Sequence, residues 1–353
     1  MATPDRWNYI LGSHGGSPLH FGLTTRSLRI SSTVNEITLN DIEQARTRIG
    51  GLTRRTPLEQ SRWLSRELGR DVLFKLECLQ VTGSFKLRGA MNKLSRLTAD
   101  QRSRGVLTVS AGNHGLAVAH CCEALGVNAT IVVPESASRA KVEAIRRYPV
   151  TLIERGAGYD EAERAAREME HQSGATFVSP YNDEDVIAGQ GTIALEVLED
   201  APDIDAIVVP VGGGGLLAGV AIAAKAIKPD IKVYGVEPET SPTMSEALRA
   251  GRLVDIDEDE TIADGLAGNI EPGSITFPIV QRLVDGIILA SEHAIRNAIA
   301  RIAREDHLMI EGAAAASVAA LRDSRLEGQR AAAIITGRNI TIELFERVIS
   351  QNQ

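Results

Sequence analysis

The stretch AIVVPVGGGGLLAGVAIAA, residues 206–224, carries the clearest structural signal in the sequence. It is long enough and uncharged, as a membrane-spanning helix would be. However, Pro210 and four successive glycines would disrupt such a helix at its middle. A buried strand, a tight turn and the start of a helix fit the pattern better. Backbone amides at Gly212–Gly215 are unshielded by side chains and backed by a helix dipole, which suits them to bind a phosphate group.

The same succession of apolar strand, small-residue turn and helix recurs along the chain. Further strands are predicted in DVLFKLE (71–77), GVLTV (105–109), ATIVVP (129–134), KVYGVE (232–237) and AAAIITG (331–337). Because these runs are continuously apolar, we expect helices to cover both faces of mostly parallel sheets. Functional groups should then lie beyond the carboxyl ends of the strands, in the turn before Lys86 and in SAGNH, GGGG and TGRN.

Composition limits the class of protein and of partner. The 353 residues suffice for two domains, and 38 Lys and Arg against 46 Asp and Glu give a net charge of −8. This acidity argues against nucleic acid or an anionic membrane as a partner. The three cysteines, Cys78, Cys121 and Cys122, form no disulfide framework and indicate a reduced, cytoplasmic protein.

The N-terminal residues 1–37 are expected to be a disordered tail. Asp5 and polar residues occupy the place of an apolar core, so we expect no secretory signal. A transit peptide is the alternative interpretation, since residues 6–35 are poor in acids.

Lys86 lies in VTGSFKLRGA, residues 81–90, beside Phe85 and among small residues. Most lysines are solvated surface residues. Lys86 is therefore a candidate functional residue only because of the other motifs in the chain. A cofactor with a phosphate, an aldehyde and a pyridine ring would place its phosphate on the glycine loop. Its aldehyde would form a Schiff base with a lysine whose pKa is lowered by partial desolvation.

A dinucleotide cofactor is the competing interpretation of the glycine loop. Gly213, Gly215 and Ala218 match G-x-G-x-x-A, and Glu237 ends the next strand where a ribose carboxylate would lie. Two alternatives from other functional classes therefore remain: an NAD-binding oxidoreductase and a ligand-binding protein without catalytic activity.

Seven motifs follow one another in the chain: TGSFKLRGA, SAGNHGLAVA, VIAGQGTIALEVLED (186–200), PVGGGGLLAG, TIADG (261–265), IEGAAAA (310–316) and ITGRNI (335–340). Together they resemble the threonine/serine dehydratases and serine racemase, which are pyridoxal-phosphate (PLP) enzymes of fold type II, the fold of tryptophan synthase β. The resemblance covers residues 38–350. It implies an α/β protein with two open, twisted, mostly parallel sheets flanked by helices. Residues 38–104 and 181–353 would form a large PLP-binding domain, and residues 105–180 a small mobile one.

The resemblance also implies roles for individual residues. Lys86 would form the Schiff base and then remove the α-proton of the substrate. Phe85 would pack against the cofactor, Asn113 would donate to the phenolic oxygen of its ring, and Thr336 would face its pyridine nitrogen. The phosphate would be bound by Gly212, Gly213, Gly214, Gly215 and the amide of Leu216. The substrate carboxylate would be bound by Ser110, Asn113 and His114.

The implied activity is that of a dehydratase, or ammonia-lyase. It would eliminate water from a β-hydroxy amino acid such as L-threonine or L-serine and give a 2-oxo acid and ammonia. The neutral hydroxyl of Thr336 cannot strongly favour a protonated pyridine nitrogen, which makes the ring a weaker electron sink and suits elimination. Arg338 forms part of a GRN sequence similar to that of a hydroxyectoine-degrading dehydratase, so a hydroxyectoine-derived amino acid is a further candidate substrate.

A serine racemase-type activity is the alternative within this chemistry. Ala111 replaces the second serine of the racemase motif, and a methyl group cannot carry a proton. We therefore expect elimination with little or no racemisation.

Two further expectations concern metals and partners. Glu237-Pro238 resembles the cation-binding segment of some relatives, but Thr243 stands in place of the second acid, so no metal is predicted. A surface charge is the simpler interpretation of Glu237.

Two other acidic residues also have two interpretations. Glu311 either points toward the cofactor or pairs on a helix surface, and Asp264 either orders a loop near the substrate or serves a turn. We expect a small amino acid substrate and a homodimer or homotetramer, without nucleic acid or membrane partners.

Overall fold

The computed structural model describes residues 36–257 and 259–351 of the protein. Thr38 caps the first helix: its side chain accepts a hydrogen bond from the Asp41 amide, and the Asp41 carboxylate accepts from the Thr38 amide. This reciprocal capping box fixes the helix start close to the predicted beginning of order. Most of the tail predicted at residues 1–37 lies outside the described residues. Ile37 is described and is buried in the core.

Two groups of elements make up the described chain. The strands are β1 (Leu58–Gln60), β2 (Val72–Lys75), β3 (Val106–Val109), β4 (Ala129–Val133), β5 (Thr151–Glu154), β6 (Thr176–Phe177), β7 (Ala206–Pro210), β8 (Lys232–Pro238), β9 (Gly286–Ala290) and β10 (Ala331–Ile334). The α-helices are α1 (Leu39–Ile49), α2 (Arg62–Leu68), α3 (Lys86–Ser95), α4 (Ala99–Arg104), α5 (Asn113–Leu125), α6 (Arg139–Arg146), α7 (Tyr159–Ser173), α8 (Glu184–Asp200), α9 (Gly215–Ile227), α10 (Thr243–Ala250), α11 (Thr276–Leu283), α12 (Glu292–Glu305), α13 (Gly312–Ala320) and α14 (Ile342–Gln351).

The strands form two sheets, which confirms the predicted α/β class. The larger has the order β1-β2-β10-β7-β8-β9 and is parallel except for β1, which runs antiparallel to β2. The smaller has the order β5-β4-β3-β6 and is parallel throughout. All strands of the smaller sheet lie within the segment 105–180. The division into a large domain and a mobile small domain stays a prediction.

Four strands of the structure, β1, β5, β6 and β9, were not predicted from the sequence. All four lie at the edges of the two sheets. β6 has only two residues, and the others leave side chains partly exposed. β1, β5 and β6 lack the continuous apolar run that identified the central strands, because an edge strand borders solvent. β9 reads GIILA, an apolar run that the sequence prediction missed.

The quoted stretch 206–224 divides as expected into β7, a four-glycine turn and α9. In the parts of the chain that the structure describes, no helix combines the length and apolarity that a bilayer span requires. The side chains of Cys78, Cys121 and Cys122 are buried free thiols.

The fold brings the carboxyl ends of three neighbouring strands together. In the larger sheet β10 lies between β2 and β7. The turn before Lys86 follows β2, Thr336 follows β10, and the glycine loop follows β7. The core cluster that joins α3 to α5 includes Leu87 and Met91 from the first helix and Ala117 from the second. This packing sets the SAGNH turn, at the start of α5, beside the same edge.

Candidate active site

Lys86 is the first residue of α3 and is partly buried. Its Nζ donates a hydrogen bond of 2.9 Å to the carbonyl oxygen of Pro180 and lies 5.1 Å from the centroid of the Phe85 ring. Within residues 36–257 and 259–351 it has no ion-pair partner. Burial lowers its pKa to about 8, although the carboxylate of Glu311 opposes the shift. The site therefore holds an amine whose neutral form is accessible near neutral pH, as predicted.

Backbone hydrogen bonds join the segment before Lys86 to the TGRN segment. The amide of Phe85 donates to the carbonyl of Thr336 at 3.0 Å, and Ser84 forms a β-bridge with Gly337. The hydroxyl of Thr336 is buried and has no hydrogen-bond partner among the described residues. An unpartnered buried hydroxyl costs free energy, so this group is suited to a polar ligand atom.

The glycine loop is tightly enclosed on one side by Tyr181. A Cβ on Gly213 would lie 2.4 Å from atoms of the Tyr181 ring, so no larger residue fits there. Gly214 has a φ of +86° and caps α9. The described residues supply no hydrogen-bond acceptor for the amides of Gly212–Leu216. Free amides at a helix start are suited to bind an anion such as a phosphate, and the role of this loop stays a prediction.

A second set of hydrogen bonds joins Asn113 of the SAGNH turn to Glu311 and Asn339. Asn113 Nδ2 donates to Glu311 Oε1 at 2.7 Å, and Asn339 Nδ2 donates to Asn113 Oδ1 at 2.6 Å. Burial raises the pKa of Glu311 to about 7, and the nearby carboxylate of Asp264 adds to the rise. Three sequence motifs that are far apart in the chain thus meet at one place. Sequence reasoning did not identify Asn339.

His114 lies on the same helix turn, and its imidazole is buried. Nε2 is 3.0 Å from the carbonyl oxygen of Val178. Because a carbonyl can only accept, Nε2 carries the proton, and Nδ1 is an acceptor without a partner in the described structure. Desolvation, assisted by the charge of Lys86, lowers the pKa of His114 to about 3. This neutral ring has no free N–H for a carboxylate, which leaves the backbone amide of His114 as the possible donor.

The remaining candidate positions have different environments. The side-chain oxygen of Ser110 accepts from the Gly112 amide at 3.1 Å, which leaves its hydroxyl proton available. The side chain of Ala111 is partly buried. Asp264 forms an ion pair with Lys141 of α6. Asp264 thus links the TIADG loop to a helix of the smaller-sheet segment.

Glu237 is buried, so its interpretation as a surface charge is wrong. Its two carboxylate oxygens accept hydrogen bonds from the amides of Met244 and Ser245, at 2.6 and 2.9 Å. Burial raises its pKa to about 7 despite these bonds. Glu237 stabilises the start of α10, and this use of both oxygens leaves little support for a ribose-binding role. Among the residues of known placement, no three His, Cys, Asp or Glu side chains are grouped as a metal site.

Two segments near the glycine loop were missed by sequence reasoning. One is Pro180, Tyr181 and Asn182, which follow β6. The other is the segment 271–276 before and at the start of α11. These segments contribute a carbonyl group, a ring face and hydroxyl groups to the site. Such groups form no recognisable sequence motif. The two-residue strand β6 gave no sequence signal to place the first segment at the site.

Comparison with known proteins assigns the chain to a family. Residues 49–337 match the family described as pyridoxal-phosphate dependent enzymes. The chain belongs to this family. It is 42% identical over 316 residues to an L-threonine ammonia-lyase of Thermotoga maritima. The aligned region covers 89% of this chain and 79% of that protein. It is 39% identical over 333 residues to a catabolic L-threonine dehydratase of Staphylococcus aureus, which covers 93% and 96% of the two chains.

Solved structures give the same assignment. Maize serine racemase superposes with a TM-score of 0.84 at 34% identity, over 89% of this chain and 97% of that one. The protein is therefore an enzyme of fold type II that depends on PLP, and the dinucleotide interpretation is wrong. The residues present fit this cofactor. The amides at Gly212–Leu216 suit its phosphate, Lys86 suits its aldehyde, and the unpartnered hydroxyl of Thr336 suits its ring nitrogen.

Proposed function

We propose that the protein is a dehydratase that removes water from a β-hydroxy amino acid, with L-threonine or L-serine as substrate. The enamine left by the loss of water then hydrolyses, taking up one water, to a 2-oxo acid and ammonia. The observation that carries the proposal is Lys86, an amine with a lowered pKa and no carboxylate partner among the described residues, at the same sheet edge as the glycine loop and Thr336 in a PLP-dependent enzyme. Relatives named L-threonine ammonia-lyase and L-threonine dehydratase, at 42% and 39% identity, support the reaction.

In this proposal the residues around Lys86 hold the cofactor. Lys86 would bond covalently to the aldehyde carbon, Phe85 would pack against the ring, and the N–H of Asn113 Nδ2 that does not donate to Glu311 would donate to the phenolic oxygen. The hydroxyl of Thr336 donates to the pyridine nitrogen. The backbone amides of Gly212, Gly213, Gly214, Gly215 and Leu216 bind the phosphate. Bound PLP supplies the electron sink that stabilises negative charge on the α-carbon of the substrate.

Lys86 also acts as the base that takes the α-proton. Its lowered pKa suits this step, because a base is most effective when its pKa is near the working pH. The substrate carboxylate would lie at the start of α5, where the hydroxyl of Ser110 and the backbone N–H groups of Asn113 and His114 would donate to it. The dipole of this 13-residue helix favours an anion at the same point.

Racemisation is the second candidate, because solved relatives include a serine racemase of 34% identity. A racemase needs a proton donor on the face of the substrate opposite to its lysine. Ala111 offers only a methyl group at the position where the racemase motif has serine. Elimination without racemisation is therefore the favoured activity.

We also propose a cytoplasmic location and a homodimer or homotetramer. The buried free thiols of Cys78, Cys121 and Cys122 are compatible with a reducing compartment. The exposed side chain of Arg338 keeps amino acids with a longer polar side chain among the candidate substrates.

The test is a panel of hydroxy amino acids assayed for ammonia and 2-oxo acid with the purified holoenzyme. Equal amounts of both products from L-threonine or L-serine are expected, with no D-serine in a chiral assay. Ala111→Ser is the matched variant and should gain measurable racemisation. Absence of 2-oxo acid from every panel member contradicts the proposal, and abundant D-serine from the wild-type enzyme contradicts the interpretation of Ala111.

A further inference from the structure

The glycine loop is fixed from outside by a buried hydroxyl. Thr276 Oγ1 lies 2.7 Å from the carbonyl oxygen of Gly213. Because a carbonyl oxygen can only accept, the Thr276 hydroxyl is the donor. Ser274 Oγ is 2.8 Å from Thr276 Oγ1 and must therefore donate to it. Thr276 and Ser274 are both buried. The hydrogen-bond chain in which Ser274 donates to Thr276 and Thr276 donates to Gly213 is therefore protected from water.

This bond determines where one amide of the loop points. The Gly213 carbonyl and the Gly214 N–H belong to one planar trans peptide, in which the two groups point in opposite directions. A hydrogen bond that holds the carbonyl against Thr276 therefore aims the Gly214 N–H away from Thr276. Thr276 and Met244 also pack closely against Gly214, since a Cβ built on this residue would lie 3.0 Å from Thr276 Oγ1 and 2.9 Å from Met244 Cε.

Thr276 is held in turn by residues that follow the small sheet. Tyr181 Oη accepts from the Glu271 amide at 3.0 Å, and Asn182 Oδ1 accepts from the Ile275 amide at 2.9 Å. The preceding residue, Pro180, accepts the hydrogen bond from Lys86 Nζ. Residues 180–182 thus contact the amine at one end of the site and, through the segment 271–276, the glycine loop at the other.

We infer that Thr276 is a positioning residue for the cofactor phosphate. It acts through the Gly213–Gly214 peptide, which its hydroxyl holds in the orientation that presents the Gly214 N–H. The inference rests on the proposed role of the glycine loop as the phosphate site. Without the hydroxyl, the Gly213 carbonyl loses its partner and the peptide must be ordered when the phosphate binds, which weakens binding.

The test compares Thr276→Val, which replaces the hydroxyl by a methyl group, with Thr276→Ser, which keeps it. Apoenzyme is reconstituted with PLP and, in parallel, with pyridoxal, which lacks the phosphate. Thr276→Val should raise the Kd for PLP about tenfold and leave that for pyridoxal unchanged. Thr276→Ser should stay within about twofold of wild type for both. The phosphorus NMR signal of bound PLP should move in Thr276→Val and stay in place in Thr276→Ser.

An unchanged PLP Kd in Thr276→Val overturns the inference. An equal loss of PLP and pyridoxal affinity, or a loss of apoenzyme stability alone, also overturns it, since either result describes a general structural role. If Thr276→Val does not fold, Ser274→Ala decides in its place. A raised Kd for PLP with unchanged pyridoxal binding then supports the inference, and an unchanged PLP Kd overturns it.

Gly214→Ala separates this inference from the proposed function. The variant strains a residue with positive φ and brings a methyl group against Thr276 and Met244. It should weaken PLP more than pyridoxal if the loop binds phosphate. Unchanged PLP binding by Gly214→Ala contradicts the phosphate site itself. Weak PLP binding by Gly214→Ala beside normal binding by Thr276→Val contradicts only the role of Thr276.

Discussion

Two lysines eleven positions apart in the chain, Lys75 and Lys86, are removed from solvent in different ways. Lys75 ends β2, is fully buried, and donates to Glu196 Oε2 at 2.5 Å and to the Thr56 carbonyl at 2.6 Å. Lys86 donates only to the Pro180 carbonyl, and no carboxylate of the described chain pairs with it. The first ammonium is compensated by an opposite charge, and the second is not.

The surroundings of Lys75 are completely paired. Arg88, also fully buried, donates to both carboxylate oxygens of Glu77 and both of Glu196. Two cations and two anions therefore neutralise one another beneath the site. Near Lys86, by contrast, the hydroxyl of Thr336 and Nδ1 of His114 also have no partner within the described residues. Unpaired buried groups destabilise a fold, so their concentration here indicates that they serve a ligand.

The largest effect is expected on catalysis. Lys86→Met should lower kcat by about 10⁴-fold, because the variant has neither the amine that bonds to PLP nor the base. The control is Lys93→Met on the same helix, where Lys93 pairs with Asp183, and it should keep kcat within about twofold. The measurement is the initial rate of 2-oxo acid formation at saturating substrate and PLP. A Lys86→Met rate within tenfold of wild type would contradict the assignment.

The next effect is on stability at the paired lysine. Lys75→Met should lower the free energy of unfolding by about 3–5 kcal/mol, because Glu196 would remain buried with one cation fewer. Denaturant unfolding of the apoenzyme measures this value. The double variant Lys75→Met/Glu196→Gln should recover part of the loss, since it removes the excess negative charge. If Lys75→Met is as stable as wild type, the ion pair of Lys75 contributes nothing to the free energy of unfolding.

The unpaired lysine should behave in the opposite way. The pKa of Lys86 falls from its ordinary value of 10.5 to about 8 on folding, so the folded apoenzyme binds this proton more weakly than the unfolded chain does. The resulting cost is complete below about pH 8 and disappears as the pH rises above 10.5. Lys86→Met apoenzyme should therefore be more stable than wild type by about 1–3 kcal/mol at pH 7. The gain should vanish near pH 10.5, and destabilisation at pH 7 would contradict this account.

The smallest effect concerns the unpartnered hydroxyl of Thr336. Thr336→Val should stabilise the apoenzyme by about 1 kcal/mol, because the variant no longer buries an unpaired polar group. It should also lower kcat, since the ring nitrogen would lose its donor. Thr336→Ser keeps the hydroxyl and serves as the control in thermal unfolding and in steady-state kinetics. A Thr336→Val apoenzyme less stable than wild type would indicate that the hydroxyl has a structural partner.

Much of the fold was predictable because its central strands are continuous apolar runs that end in small-residue turns. The rule that ligands bind beyond the carboxyl ends of parallel strands then singled out Lys86, the glycine loop and Thr336. The edge strands β1, β5 and β6 were missed because their short segments lack the apolar signal of the central strands. Thr276 could not be predicted, since its role depends on a carbonyl group 63 positions away in the chain. The tautomer of His114 likewise depends on the Val178 carbonyl, 64 positions away.

The central claim is that Lys86, and not the paired Lys75, carries the cofactor. The most direct measurement is borohydride reduction of the holoenzyme followed by proteolysis and peptide mass spectrometry. The account predicts one modified peptide, with the vitamin B6 phosphate adduct on Lys86. An adduct on Lys75 or on any other lysine, or a fully PLP-loaded enzyme that gives no adduct after reduction, would contradict it.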